Sequence, residues 1–123
     1  MPQNFYERRL VSAPSATITS HATASNINAG TARGVKFYID ITAFSGTSIT
    51  YTIQCVDPAT GTLSTVLASA AKSATGGFTL TVAPGVATVS NVALGDFVPR
   101  IFRLQTSGTI TSVTHRISYE LLS

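Results

Sequence analysis

The side chains able to run acid–base, metal or thiol chemistry in this sequence of 123 residues are few: His21, His115, Cys55 and the carboxylates Glu7, Asp40, Asp57, Asp96 and Glu120. Neither histidine has a second metal-ligating residue two or four positions away, so the spacing builds no metal site. His115 stands between Val113 and Ile117 on an apolar strand face, which marks it as a hydrogen-bonded core or interface histidine. Serines are abundant, yet no G-x-S-x-G elbow is present to activate one. Each carboxylate has a structural reading: Glu7 in an N-terminal arm, Asp40 on an outward strand face, Asp57 as a turn cap, Asp96 in a turn and Glu120 near an outward strand end. Glycoside hydrolysis needs two carboxyls about 5–10 Å apart in a groove, and such sites stack the sugar on aromatics; this chain has no Trp. Gly76-Gly77 is followed by neither a Lys-Ser/Thr pair nor a helix start, so it is a turn and not a phosphate cradle. The residues therefore imply a non-enzyme with no cofactor and no metal.

Charge narrows the partners. Lys, Arg, Asp and Glu make up 11% of the chain, against roughly 25% in ordinary soluble proteins, while 33 of its residues are Ser or Thr. A neutral, hydroxyl-bearing surface gives little repulsion between copies, which favours a component of an assembly. The net charge of +3 is scattered, and its nearest approaches to a basic patch are Arg8-Arg9 and Arg100 with Arg103, so nucleic acid is not the expected partner. Cys55, alone, forms no internal disulfide and reads as a small apolar residue on a strand face. MPQNFYERRL has no secretory apolar region and no run approaches the ~20 apolar residues that span a bilayer, so synthesis in the cytoplasm and no membrane partner are expected.

The elements that must carry these residues are strands. From Gly34, Val35, Phe37, Ile39 and Ile41 alternate with Lys36, Tyr38, Asp40 and Thr42. Ser45-Gly46 is expected to turn the chain into a second strand with Ile49, Tyr51, Ile53 and Cys55 inward, making a hairpin. Asp57-Pro58-Ala59-Thr60-Gly61 is turn chemistry, and Leu63–Ala70 resumes as a strand. Phe78, Leu80 and Val82 form a short strand closed by Pro84-Gly85. Pro99 opens another, joined through Ser107-Gly108 to a final run with Val113, His115, Ile117, Tyr119 and Leu121 on one face. Leu67–Ala74, rich in Ala, would also suit a short helix. The pattern predicts an all-β fold, a single β-sandwich or jelly-roll-like domain of seven to eight short strands over residues 34–123.

Residues 1–33 differ. They are rich in Ala, Ser and Thr, with Ile18 as the one large apolar residue of the strand-like stretch 17–23, so they read as an N-terminal arm able to pair with a sheet edge but not to anchor a core. Two readings stay open: a loose terminus, or an arm lying across another subunit and ordered on assembly. In the second, Phe5, Leu10 and Ile18 are the side-chain anchors, with Arg8 and Arg9 beside them. Tyr38, Tyr51, Phe44 and Phe97 would form a recognition patch if exposed; alternation turns Tyr51 inward and leaves Tyr38 as the surface candidate.

The order GVKFYIDIT, TIQCVDPATG, TVLASAA, VAPGV and DFVPRIFRL, over Gly34–Leu104, resembles small proteins encoded among the virion genes of tailed bacteriophages. That resemblance implies a virion structural protein located in the particle. By analogy of size and architecture it implies a head decoration, or cement, protein on the outer capsid surface. Its implied partners are the major capsid protein and copies of itself, as a homo-oligomer. A tail or baseplate structural protein and a host-surface or carbohydrate-binding module are the alternatives.

Overall fold

A computed structural model describes the backbone of residues 8–12 and the whole of residues 15–122; Phe5 lies outside the described residues. The protein is all-β. Among the described residues eight strands form one sheet: β1 (Arg8–Ser12), β2 (Ala16–Ile18), β3 (Ile27–Asn28), β4 (Gly34–Val56), β5 (Leu63–Ala68), β6 (Gly76–Val82), β7 (Ala93–Leu94) and β8 (Ile101–Leu122). The chain 67–74 forms no helix: it completes β5 and adds a bridge from Lys72 to Ile49.

The alternation read from the sequence is present, but two of its segments are joined differently. Ser45-Gly46 makes no hairpin. β4 runs on for 23 residues and β8 for 22, and the two pair antiparallel from Gly34 opposite Leu122 to Cys55 opposite Phe102. At ~3.3 Å per residue a straight β8 would be about 70 Å long. Yet the Ala29 N–H donates to the Arg100 carbonyl (2.8 Å), and the Arg33 N–H donates to the Leu122 carbonyl (2.7 Å). Four residues reach at most ~14 Å, so the ends of β8 lie side by side and the paired strands fold back as a U.

Gly46 and Gly108 sit in that bend, with φ of +137° and +115°. A Cβ on Gly46 would stand 2.6 Å from the Ile110 Cα, and one on Gly108 would overlap the Ser48 carbonyl oxygen. Three residues drop out of register around them, Thr42 and Thr47 on β4 and Thr111 on β8. Such bulges bend a strand and sharpen its twist. They also change phase: from Ile41↔His115 to Ile49↔Gly108, β4 advances by eight residues and β8 by seven. β4 therefore keeps odd-numbered residues inward on both sides, whereas β8 switches from Phe102 before the bend to Val113, His115 and Leu121 after it.

Folding the sheet over yields two facing layers, a β-sandwich with two long bent strands shared by both. One layer contributes Val35, Phe37, Ile39, Ile41, Leu80 and Val82, the other Ile49, Tyr51, Ile53, Leu67 and Phe102. Aromatic edges lock them: Phe37 meets Phe102 with centroids 6.2 Å apart and rings at 84°, and Tyr51 meets Phe78 at 5.5 Å. The outer edge of β4 is covered by β6 along Val35–Ile41 and by β5 along Thr52–Val56.

The outer edge of β8 is covered by the N-terminal segment: β1 lies opposite Ser118–Leu122, β2 opposite Val113–His115, and β3 opposite Ile101 and Phe102. β1, β2 and β3 thus belong to the same sheet as β4 to β8, where the sequence reading set residues 1–33 apart as an arm. The physical reason is the length of β8, whose edge would otherwise leave a long row of N–H and C=O groups open. At the bend side chains replace the ladder: His21 Nδ1 lies 2.8 Å from Thr106 Oγ1 and Nε2 lies 3.0 Å from the Gly108 carbonyl. Gln105 accepts from the Ala24 N–H and donates to the Ala22 carbonyl.

Gly108→Ala is expected to cost about 2–4 kcal/mol in unfolding free energy, because φ strain and a backbone clash act together. Gly61→Ala, at φ +77° with nothing within 4 Å of the new methyl, should cost about 1 kcal/mol. Guanidinium unfolding of the two variants checks this; equal losses would remove the close approach at the bend from the account.

Candidate interaction surface

Of the six residues singled out from the sequence, Phe5 lies outside the described residues and the other five are placed on β1, β2 and β4. Arg8, Arg9 and Leu10 lie in β1 opposite Leu122, Leu121 and Glu120. Ile18, opposite Val113, is half-buried and packs against the core, so it holds the segment to its own sheet. Tyr38 is half-buried on the outward face of β4. Its hydroxyl donates to the Glu120 carboxylate, and the Lys36 ammonium stands 5.4 Å from its ring centroid. Register explains the cluster: Lys36 is directly opposite Glu120, and Tyr38, opposite Ser118, reaches it diagonally. Tyr38 is thereby committed to its own sheet.

Of the aromatics that exposure would make a patch, Tyr51 is fully buried and Phe44 half-buried, while Phe97 is 64% exposed. Phe97 belongs to the crossover 83–100, which leaves β6, adds β7 parallel to β6 and returns to β8. Val89 and Val92 on the same crossover are 50% and 46% exposed. The loop is held in place by its backbone. The N–H groups of Ala93 and Val92 both donate to the Val89 carbonyl, and Asn91 takes the left-handed conformation (φ 64°) that such a tight turn demands. The Asn91 amide donates to the Ala68 carbonyl of β5 at 3.0 Å. Thr88 Oγ1 accepts from the Gly95 N–H, drawing the two sides of the loop together, and the Val98 N–H donates to the Arg33 carbonyl. Apolar side chains are thus presented outward from an anchored loop. Leu63, at the exposed start of β5, adds a further one.

The sequence reading missed Val89 and Val92, since VATVSNVALGDFVP carries no alternation to place its apolar residues. The local signal present was an Asn flanked by valines, the composition of an apolar turn.

Groups with chemical potential are dispersed. Asp57 caps its own loop as expected: its Oδ1 accepts the Ala59 N–H at 2.8 Å, which with the Thr60 contacts holds the carboxyl below its ordinary pKa. Cys55 is half-buried and not a core residue as its strand face suggested; it lines an open cavity of about 370 Å³ with Val56, Asp57, Pro99 and Arg100. The Arg103 Nε–H donates to Gln54 Oε1 across the β4–β8 ladder. Tyr51 Oη lies 2.7 Å from His115 Nδ1 in the interior, where burial raises the phenol pKa and lowers that of the imidazole. Among the described residues, no group of three His, Cys, Asp or Glu side chains stands close enough to hold a metal ion.

No family model matches the chain, and no curated protein does. Among solved structures, a chain from the Bacillus endospore appendages, a family of disulfide-linked pili, is similar at 13% identity with a TM-score of 0.47. The match spans 99% of this chain and 96% of that one.

Proposed function

We propose that this protein is a non-enzymatic structural component of a tailed-phage virion, a decoration protein that binds the outer surface of the head and reinforces it. The observation that carries the reading is the anchored crossover 83–100, with Phe97, Val89 and Val92 turned to solvent on a chain of very low charge. Exposed aromatic and aliphatic side chains on a hydrogen-bonded loop lose little entropy on docking. The resemblance of Gly34–Leu104 to phage virion proteins supplies the class of partner: the major capsid protein, together with copies of this chain.

Such a role asks for shape and permanence instead of chemistry. Doubly covered strands β4 and β8 make a stiff body, and a hydroxyl-rich surface forms hydrogen bonds without the desolvation cost of buried charges.

Two measurements test the reading. Quantitative mass spectrometry of purified parent virions should find this chain at a copy number comparable to the major capsid protein. A few copies per particle would place it in the tail or baseplate, and absence from the particle would remove the virion role. The double variant Val92→Ser, Phe97→Ser should change unfolding free energy by only about 1 kcal/mol, since neither side chain belongs to the buried core. Its binding to undecorated heads should weaken by at least roughly tenfold, as for loss of a buried aromatic anchor. Undiminished head binding would show that the crossover is not the docking surface.

A further inference from the structure

Tyr51 and His115 are polar side chains that meet in the interior between the two layers. Tyr51 is fully buried and His115 is 7% exposed; their rings are tilted at 57° with centroids 5.6 Å apart. Tyr51 belongs to the part of β4 beyond the bend and His115 to the part of β8 that pairs with the first half of β4, so the contact crosses the fold of the U. The Tyr51 backbone is fixed from the side by Ser69, whose N–H donates to the Tyr51 carbonyl and whose Oγ accepts the Tyr51 N–H.

We propose that this pair is a pH-operated latch between the layers: neutral His115 holds Tyr51 across the interior, and protonation in mild acid releases it. A neutral ring with its proton on Nε2 accepts the phenol hydrogen at Nδ1. A doubly protonated ring has no acceptor there, so the phenol hydrogen loses its partner and a cation is left between apolar layers.

Among the described residues, the elements packed around His115 bring that cation no carboxylate. Ile41 of β4 and Ala16 of β2 are the register partners of His115. Phe78 of β6 packs on the Tyr51 ring, and beyond it the Lys72 ammonium, 4.5 Å from the Phe78 centroid, adds positive charge. On β8 itself the neighbouring Arg116 is exposed, opposite the exposed Asp40. Asp57 and Asp96 are also exposed, and Glu120 is engaged by Tyr38. Burial lowers the His115 pKa from 6.5. A folded-state pKa below the unfolded one means that the latch contributes its full stability above about pH 6.5 and loses it as pH falls toward the folded value.

The test compares the full chain with His115→Gln, which keeps a hydrogen-bonding group but cannot titrate, by guanidinium unfolding from pH 8 to pH 4. The expected result is that the unfolding constant of the wild type, relative to the variant, rises below pH 6.5 by up to tenfold per pH unit, the slope for one proton. Parallel pH profiles would overturn the latch. Should the variant fail to fold, NMR titration of the His115 ring in the wild type decides, with the His21→Gln spectrum assigning the signals. Titration below pH 6.5 with concurrent shifts at Tyr51 supports the proposal. Titration at or above 6.5, or without change at Tyr51, refutes it.

Discussion

The architecture depends on one constraint: two strands of more than twenty residues must remain hydrogen-bonded to each other while turning back on themselves. A flat ladder cannot do this. Backbone crowding at the turn admits no Cβ at Gly46 or Gly108, and three unpaired threonines supply the extra backbone that the bend consumes. Once the pair is bent, the rest follows. Both layers of the sandwich are halves of the same ladder, so their facing residues are set by register along two strands and not by packing of independent sheets. Each long strand then has one further edge to cover, and the short strands divide that task.

The half-buried strands were legible because alternation is local: Val35–Ile41 and Ile49–Ile53 are buried where their period places them. Asp57-Pro58-Ala59-Thr60-Gly61 was legible for the same reason, since the Asp57 cap and the left-handed Gly61 act within a few residues. The bend was not. Ser45-Gly46 and Ser107-Gly108 have the chemistry of a hairpin turn, and whether positive φ closes a hairpin or relieves a close approach depends on the partner strand, tens of residues away. The N-terminal segment was half legible. Its pairing with β8 rests mainly on backbone groups, His21 and Gln105, with Ile18 and Ile27 as scattered apolar contacts, so its strand character showed and its partner did not. The outward apolar crossover was hidden because exposure of Val89, Val92 and Phe97 follows from where the loop is tied down, through Asn91 to β5 and Val98 to Arg33.

The same constraint shapes what the surface can offer. Covering both long strands uses most of the chain in backbone hydrogen bonding, and the polar side chains that remain are largely tied to neighbours on their own sheet, as Tyr38 is to Glu120 and Arg103 to Gln54. The two histidines serve the fold, one fastening the N-terminal segment and one spanning the layers. Of the exposed large apolar side chains among the described residues, Val89, Val92 and Phe97 sit on the crossover and Leu63 at the start of β5.

The bent ladder is tested most directly by cross-strand NOEs in the folded protein. The account predicts contacts from Ser45 to Ser112 and from Ile49 to Gly108, on the two sides of the bend, together with Tyr51 ring protons close to His115. Contacts of Phe44 or Ala43 with Ile49 or Thr50 across a tight turn, in place of those to β8, would mean that Ser45-Gly46 closes a hairpin and would contradict it.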